Sequence, residues 1–600
     1  MTRFYRSPSF WITLLLSGFA VAPLLRPGYF WGAHDARHNV FFVLQYNLTW
    51  NEGILFPRWS PDWAFGYGYP FFNIYAPGAT FVATLLYRLL SLSYEGAVEA
   101  LFILSILLSA GSMWSFAREL WGEEAALVAG VAWVYVPYHL VDIYVRAAMA
   151  ESLALALLPL ALWGARRTVL QPGPGAVALL ALGYAAVHLS SNLVALLFSP
   201  VLAAYIAVLA WSRLPLGGSR RSRATAWLRA LVMPGLGLGL GLALAAFFVL
   251  PALTEARYVN QEQWFGGYYD FHDHFVYFAQ LFDPRWGFGI SIPGPDDALS
   301  YQLGLAFLVL AVLAARYGLR RRHPHRLEVA FWLGVLVVGA WLTTAAATWA
   351  WDRVPLVAAA QFPWRYLTLA ALALAILAPV VLSARRQPKP GTVWPEALLL
   401  AGLLILNSAP YLRVEVIPPP PGGATLAGLM EFERSADEMT GMTITAQRIP
   451  TWSPLADLHM AGQPITTQVD YSRVPQNETL AVHARDHSVT REVVWVHAGR
   501  EGLRVPFLRQ WYPGWTASLF DPETGALRAR FALTPDHTYP PYGLIEVPVP
   551  PGDHILELRF EDTPVRRLGE TVSLLTVLVL VVLLLMALRR RPSDPSVPPL

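Results

Sequence analysis

Long apolar runs alternate with short polar loops along most of the chain. A helix that crosses a bilayer needs roughly 20 apolar residues, and runs close to that length recur, so we predict a mainly α-helical, polytopic transmembrane bundle of about 12 spans. The predicted spans are 10–25, 96–117, 124–141, 148–164, 175–189, 191–211, 228–250, 300–316, 327–347, 364–384, 394–412 and 571–588.

The basic residues predict the side that each loop faces. Arg-rich loops tend to stay in the cytoplasm, which places Arg166 and Arg167, the stretch from Arg213 to Arg229 and the stretch from Arg589 to Arg591 inside. Both termini are then cytoplasmic, and the protein is expected in the cytoplasmic (plasma) membrane as a multi-pass protein. The residues after the last span, 592–600, are predicted to form a disordered cytoplasmic tail.

The same orientation decides the role of a further apolar segment, 78–92. The 26–77 loop is outside and Arg118 is inside, so an odd number of crossings lies between them. Only one of 78–92 and 96–117 can therefore span. The 78–92 segment is shorter and carries Arg88, and we expect it to lie on the outer face as an interfacial helix.

A second kind of pattern begins after the eleventh span. Residues 413–565 contain strand-like alternation, for example in Glu492 to Val496 and Ile555 to Phe560, and also in Thr443 to Thr445. We predict a β-rich, sandwich-like extracytoplasmic domain over 413–565. It would follow a transmembrane domain over 1–412 and precede a C-terminal transmembrane helix over 566–591.

Composition agrees with a membrane protein and excludes several functions. The chain is 55% hydrophobic and 14% charged, whereas soluble domains are about a quarter charged. A net charge of +3 gives no reason to expect nucleic acid as a partner, and the absence of cysteine excludes disulfides and thiolate metal sites. No nucleotide or redox cofactor motif is present. The run Gly235, Gly237, Gly239 and Gly241 lies inside an apolar span, where it predicts close helix packing.

Charged residues next to the first span are the first candidates for chemistry. Asp35 lies between His34 and His38, just outside the membrane, where ionisable groups are costly to keep. If this stretch is helical, both histidines share one face and could bind a metal with His272 and His274, or frame a carboxylate base. The alternative is a helix start with a capping aspartate.

Other predicted helix ends bring polar residues to the same outer side. They are Arg146 with Glu151, then His188, Arg257, and Trp364 with Arg365. Arg is the fork-shaped binder of phosphate. Each alone has a simpler explanation, such as a structural Arg–Glu pair, a polar helix cap or a snorkelling anchor. Their convergence on one side favours a site.

The residues also resemble a known family. His34-Asp35, the string from Gly66 to Pro77, the stretch from Arg146 to Glu151, then His188 and the string from Gln361 to Arg365 are similar to the bacterial membrane proteins called "6-pyruvoyl-tetrahydropterin synthase-related". The order of parts resembles the GT-C class of membrane glycosyltransferases. Tyr512 to Trp515 and Pro541 to Leu544 resemble the outer domain of YfhO-like proteins.

This resemblance implies a fold and a chemistry. The bundle would be GT-C-like, Asp35 would be the catalytic carboxylate, and the carrier phosphate would be held by Arg146, Arg365 and Arg257. The sugar would be bound, or Asp35 tuned, by His34, His38, Glu151 and His188, and Trp364 would line the substrate site. Dependence on a divalent metal stays open, because no second acidic residue adjoins Asp35.

The resulting hypothesis is an inverting enzyme of the cell envelope. It would move a sugar from a polyprenyl-phosphate carrier to an envelope acceptor at the outer face of the lipid bilayer, with Asp35 as general base. Two alternatives stay open. One is a non-catalytic membrane protein, and the other is a lipid or polysaccharide transporter-like partner, which would usually show repeated halves and polar residues at mid-membrane.

Overall fold

The computed structural model describes residues 6–214, 220–383, 394–436, 441–475 and 480–589. The tail predicted to be disordered, 592–600, lies outside these residues. The α-helices are α1 Pro8–Val21, α2 Ala36–Asn51, α3 Phe71–Ile74, α4 Gly78–Leu90, α5 Tyr94–Trp121, α6 Glu123–Tyr135, α7 Pro137–Tyr144, α8 Met149–Leu170, α9 Pro174–Ser190, α10 Asn192–Ser212, α11 Arg220–Leu244, α12 Ala246–Glu255, α13 Leu305–Gly318, α14 Arg326–Leu342, α15 Thr348–Arg353, α16 Pro355–Ala358, α17 Leu367–Leu377, α18 Val380–Ser383, α19 Trp394–Ser408, α20 Leu426–Ser435, α21 Pro454–Met460 and α22 Pro564–Arg589.

The described part of the chain has seven helices that are long and apolar enough to cross a membrane, and up to nine if two bent pairs count as one span each. The bent pairs are α6 with α7, at 44°, and α14 with the short helices after it, at 96°. The seven are Pro8–Leu25, Tyr94–Trp121, Met149–Leu170, Asn192–Ser212, Arg221–Leu244, Pro363–Leu382 and Pro564–Arg589. A mainly helical bundle is therefore confirmed.

Three of the twelve predicted spans fall on shorter helices. The segments 175–189, 300–316 and 394–412 coincide with α9, α13 and α19, which have 17, 14 and 15 residues. A helix of 14 residues is about 21 Å long, less than the roughly 30 Å core of a bilayer. In the second case the helix begins only after Gly304, whose φ of +82° is left-handed. Apolarity alone does not distinguish helix from buried coil there.

Glycines set the register of the central helices. A Cβ on Gly164 would lie 2.4 Å from the backbone of Leu180, and one on Gly183 would lie 2.8 Å from that of Ala161. Helices α8 and α9 are therefore antiparallel and in close contact. In the glycine run, Gly237 and Gly241 face α9, whereas a Cβ on Gly235 or Gly239 would meet no atom within 4 Å. The predicted close packing holds for alternate members of the run.

The C-terminal region contains two antiparallel sheets. The strands are β1 Ala481–Ser488, β2 Arg491–Ala498, β3 Leu503–Gln510, β4 Trp515–Phe520, β5 Leu527–Ala532, β6 Thr538–Tyr539, β7 Leu544–Val549 and β8 Gly552–Phe560. Their orders are β1-β2-β8-β4-β5 and β3-β7-β6. Residues of both sheets, such as Val494, Leu556, Phe507 and Val547, share one buried core, as the alternating pattern predicted for β2 and β8.

The first half of this region differs from the prediction. Thr443 to Thr445 is not a strand, because Thr443 only forms an isolated bridge with Val259. The described elements between 413 and 475 are instead helices α20 and α21. Thr443 is fully buried, so its alternation with Ile444 reflects packing against the 252–299 loop rather than a sheet.

The 26–77 loop and the segment after it lie against each other. The loop contains α2, and α4 covers the predicted interfacial segment. One face of α4 is buried through Ala79, Thr80, Ala83 and Thr84, while Leu89 is 70% exposed. Arg88 donates to Asn47 and Asn51 at the end of α2. This two-faced helix has the form of an interfacial helix; its position on a membrane stays a prediction.

Candidate active site

Asp35 lies where the first loop meets the connection between α7 and α8. Its backbone N–H donates to the carbonyl of Arg146 at 2.8 Å, and that of His34 donates to Val145 at 3.2 Å. Asn39 adds a 2.6 Å bond to the carbonyl of Ala147. These bonds fix the start of α2 beside the loop that carries Arg146. We call this end of the bundle the site end.

The Asp35 side chain does not cap helix α2, which was the alternative explanation for this residue. Asp35 occupies the residue before α2, but its side chain makes no capping hydrogen bond. Its carboxylate is half-buried and forms no hydrogen bond or ion pair with any residue that the structure describes. A carboxylate without a partner beside a buried charge cluster is available to a ligand.

The two flanking histidines diverge. Helix α2 begins at Ala36, so the predicted shared helical face of His34 and His38 is wrong. His34 Nε2 lies 3.1 Å from the carbonyl of Gly289, and burial lowers its pKa despite the nearby Asp35. His38 instead packs edge-on against Phe432 of α20 at 4.7 Å and lies parallel to Trp63 at 6.3 Å.

The four-histidine metal set considered above does not form. His272 contacts Asp270 and Asp352 on the surface, and His274 bonds to Ser291 and to the carbonyl of Tyr268. Over the described residues, no group of three or more His, Asp or Glu side chains is placed to hold a metal ion.

Arg146 is the centre of a buried cluster of charges. Its guanidinium forks onto Glu151, with Nη1–Oε2 at 2.8 Å and Nη2–Oε1 at 2.9 Å, and Nη1 also donates to Asp142. Its other face lies 4.5 Å from the ring of Trp364. Burial alone would lower the pKa of Arg146, but Glu151 and Asp142 raise it above its ordinary value. The simpler explanation, a structural Arg–Glu pair, is what the structure contains.

Arg365 differs from Arg146 because, within the described residues, it makes no hydrogen bond to a carboxylate. Nη1 donates to the carbonyl of Ala360 at 3.0 Å and to Oε1 of Gln361 at 2.7 Å. Nε lies 3.6 Å from Glu151 Oε1, which is too long for a hydrogen bond. Within the described residues, neither Nε nor Nη2 makes a hydrogen bond. Arg365 therefore keeps donors for an incoming anion.

Tyr75 lies near these charges, and no sequence pattern predicted a role for it. Burial raises its pKa, the charges of Asp35 and Glu151 raise it further, and those of Arg365 and Arg146 lower it. The hydroxyl is thus within electrostatic reach of all four charges. Asp142 was also missed; an aspartate in an apolar segment, four residues before Arg146, was the available signal.

Two predicted residues are less closely involved. His188 bonds to the carbonyl of Tyr184 in its own helix at 3.0 Å. In the register of α8 and α9, His188 lies opposite a point on α8 that is about five residues, or roughly 7–8 Å, along the helix from Glu151. Arg257 is exposed and lies over Tyr258 at 4.9 Å. Among the described residues, no hydrogen bond or ion pair joins Arg257 to the Arg146 cluster.

A family model of membrane proteins, described as the 6-pyruvoyl-tetrahydropterin synthase related domain, matches residues 72–415, more than half of the chain. The chain belongs to this family. The match includes Tyr75, Arg146, Glu151 and Arg365, and it begins after Asp35. A comparison with curated proteins finds no match.

Solved structures similar to this family member are GT-C glycosyltransferases. They include the arabinofuranosyltransferase AftD from Mycobacteria, with 16% identity, 69% of this chain and 26% of that chain covered, and a TM-score of 0.39. ArnT from Cupriavidus metallidurans has 16% identity, coverage of 65% and 61%, and a TM-score of 0.35. The archaeal oligosaccharyltransferase AglB from Archaeoglobus fulgidus has 13% identity, coverage of 73% and 59%, and a TM-score of 0.39.

The chain thus spans about a quarter of AftD and about three fifths of the other two. Scores below 0.5 describe a loose similarity, and no activity follows from them.

The C-terminal region of this PTPS-related protein contacts the first loop, and one of these contacts is a buried carboxylate. Glu433 of α20 accepts the backbone N–H groups of Ala64 and Phe65 at 2.6 and 2.7 Å. Both residues have left-handed φ angles, of +57° and +55°, a strained conformation that points both N–H groups at one acceptor. Burial raises the pKa of Glu433 to about 8. The neighbouring residues Phe432 and Trp63 enclose His38.

Proposed function

We propose that this protein is a membrane glycosyltransferase. It would transfer a sugar from a polyprenyl-phosphate carrier to an acceptor hydroxyl at the outer face of the membrane, with inversion at the anomeric carbon. The observation that carries the proposal is that Asp35, whose carboxylate has no hydrogen bond or ion pair among the described residues, lies near Arg365, whose Nε and Nη2 make no hydrogen bond within the same part of the chain. A role for both in one site is supported by the backbone hydrogen bond from Asp35 to Arg146 and by the 3.6 Å distance from Arg365 Nε to Glu151, the partner of Arg146.

The two groups suit the two ends of such a transfer. The acceptor oxygen would attack the anomeric carbon while the bond from that carbon to the phosphate oxygen breaks. The Asp35 carboxylate would take the acceptor's proton as the new bond forms. The electron pair of the broken bond would leave with the phosphate, and Nε and Nη2 of Arg365 would stabilise its added charge. Atoms and charge balance without a further reactant.

Arg146 has a different role in this proposal from the one the resemblance implied. Three of its five N–H groups already donate to Glu151 and Asp142, so we assign it to supporting the site instead of binding the carrier phosphate. Arg146 neutralises Glu151, the carboxylate nearest to Arg365. The face of its guanidinium lies against the ring of Trp364 and orients that ring. Trp364 in turn lies parallel to Phe362 at 5.0 Å, which leaves a rigid aromatic wall beside Arg365.

The test is replacement of Asp35 by asparagine, which keeps the shape and removes the base. Loss of a general base costs about 10²–10⁴ in rate. Transfer can be followed as the change in lipid-linked and envelope glycans by mass spectrometry, in cells lacking the gene and complemented with each variant. Asp536→Asn, at an exposed position of the C-terminal region, is the matched control and should restore wild-type glycans.

Full complementation by Asp35→Asn would exclude Asp35 as the base. If the glycans are the same with and without the gene, while the purified protein still binds a polyprenyl phosphate, the non-catalytic alternative is correct. The proposal also leaves the sugar and the acceptor to be identified by the mass difference in this experiment.

A further inference from the structure

A short segment turns away from helix α14 where that helix ends. Ala345–Arg353 makes an angle of 96° with α14, so it runs across the end of the bundle instead of along it. The turn is fixed by Trp351, whose indole Nε1 donates to the carbonyl of Leu342 at 2.9 Å. Carbonyls in the last turn of a helix lack a partner within the helix. We call residues 345–358, which continue through α16, the crossing segment.

The crossing segment packs directly against the turn that carries Arg365. The ring of Trp351 meets the ring of Tyr366 edge-on, with centroids 5.7 Å apart, and the Tyr366 hydroxyl donates to the carbonyl of Val357 at 3.4 Å. Arg365 itself donates to the carbonyl of Ala360, two residues after the segment. The depth of the crossing segment therefore sets the depth of the Arg365 guanidinium.

The other side of the crossing segment exposes large apolar side chains. Trp349 is 56% exposed and Leu356 is 51% exposed. This surface continues the outer surface of α14, where Val338 is 50% exposed. Trp341, near the end of α14, joins the two surfaces, because its ring centroid lies 5.8 Å from that of Trp349. The apolar outer surface of a spanning helix faces lipid, so the crossing segment extends a lipid-facing surface.

A neighbouring segment adds exposed aromatic rings at the same level. The backbone N–H of Val276 donates to the carbonyl of Thr343 at 2.8 Å, which fixes this segment beside the end of α14. The next two residues, Tyr277 and Phe278, are 50% and 71% exposed. Rings of Trp and Tyr are enriched where a bilayer meets water, because one edge is polar and the rest is apolar. The exposed rings around the end of α14 are typical of that boundary.

We infer that the crossing segment lies on the membrane surface at the site end, with Trp349 and Leu356 inserted among the lipid headgroups. Between them, Asp352 and Arg353 are exposed, and Asp352 lies 3.2 Å from His272, so the polar groups of the segment remain at headgroup level. This insertion does not depend on the transfer reaction. Its consequence rests on the proposed function: Arg365 would meet the phosphate of a membrane-anchored carrier at headgroup depth.

The first experiment measures insertion on the full-length protein in nanodiscs of phosphatidylcholine and phosphatidylglycerol. Because the chain lacks cysteine, a nitroxide label can be attached at one position, in Trp349→Cys or Leu356→Cys. Collisions of the label with oxygen, which concentrates in the bilayer, are compared with collisions with a water-soluble nickel chelate. Both labels should favour oxygen, as the label in Val338→Cys on α14 should. The label in Asp486→Cys, at an exposed position of the C-terminal region, should favour the chelate.

Labels at Trp349 and Leu356 that behave like the label at Asp486 would overturn the inference. All four positions are exposed, and substitutions at such positions usually change stability little. A loss of folding is therefore not expected to mask the result.

The second experiment tests the consequence for Arg365. Leu356→Asp should bind a short-chain polyprenyl phosphate about three- to tenfold more weakly in nanodiscs, the effect of losing the partial burial of one leucine, and should bind it like wild type in detergent. Leu527→Asp, at a leucine of β5 that is 56% exposed, should change neither value. Equal weakening in detergent would place Leu356 in the binding site itself and contradict a membrane role. Absence of binding by wild type in both media would refute the proposed function, while the labels decide insertion separately.

Discussion

Arg146 and Arg365 both lie near the ring of Trp364, at 4.5 and 5.6 Å, yet the structure predicts opposite effects when each is replaced by lysine. Arg146→Lys keeps the charge but loses the fork onto Glu151 and at least two of the three bonds to Glu151 and Asp142. Hydrogen bonds to charged groups are worth about 1.5–3 kcal/mol each. The expected loss in free energy of unfolding is therefore about 3–6 kcal/mol, similar to breaking a buried ion pair.

Arg365→Lys should affect folding less and ligand binding more. Its two bonds go to the oxygens of Ala360 and Gln361, and a lysine amine can keep one of them, so about 1.5 kcal/mol of stability is lost. A phosphate, however, would lose a forked contact with Nε and Nη2. Losing about 1.5–3 kcal/mol of binding free energy raises Kd by roughly 10–100-fold.

The assay measures both quantities on the same purified proteins. A short-chain polyprenyl phosphate is titrated into each variant by calorimetry, and melting is followed in parallel. Arg285→Lys is the control, because Arg285 is exposed and pairs only with nearby Asp283 in the described chain; Arg166, which pairs with buried Glu328, is unsuitable. If Arg146→Lys loses binding but melts like wild type, Arg146 is itself the phosphate ligand and the division of roles is wrong.

Three further predictions follow from the packing and the charges. Glu433 has its pKa raised to about 8, so folding favours its protonated form; the stability this provides is complete below its ordinary pKa and is lost as pH rises through 8. The melting temperature of wild type should thus fall more from pH 5 to pH 8 than that of Glu433→Gln, and parallel curves would contradict this. Gly164→Ala places a methyl group against the Leu180 backbone and should cost about 1–3 kcal/mol of stability, whereas Gly235→Ala, in open space, should cost none; equal melting would refute the close contact. Because the chain lacks cysteine, single cysteines report topology: Asp486→Cys should react with an impermeant maleimide on intact cells and Arg213→Cys only after permeabilisation, and the reverse would invert the predicted orientation.

Much of the fold could be predicted from local patterns. Apolar runs such as 96–117 and 571–588 match the long helices α5 and α22, since burial in lipid requires an unbroken stretch. The alternation of 492–496 and 555–560 matches β2 and β8, since one face of each is buried. The local sequence pattern predicted the wrong structure at 300–304, which is not helical, and at 443–445, which is not a strand. Those residues are buried by distant parts of the chain, and burial gives the same apolar signal in coil, strand and helix.

The sequence predicted which residues belong to the candidate site better than it predicted which of them contact each other. The charges at helix ends predicted Asp35, Arg146, Glu151 and Arg365 as candidates, because charges beside a bilayer are costly unless they have a use. Which arginine donates to carboxylates could not be predicted. That depends on Asp142 and Glu151 converging on Arg146, and on the carbonyl of Ala360 and the side chain of Gln361 taking only Nη1 of Arg365.

The sequence by itself therefore determined where the long helices lie, that strands follow them near the C-terminus, and which ionisable residues border the helix ends, because these follow from segment length, alternation and the cost of charge near lipid. Only the tertiary structure decided the partners. The register of α8 and α9 depends on glycine contacts 16 and 22 residues apart in sequence. The enclosure of His38 depends on Phe432. Such contacts join segments that are distant along the chain, so no local pattern encodes them.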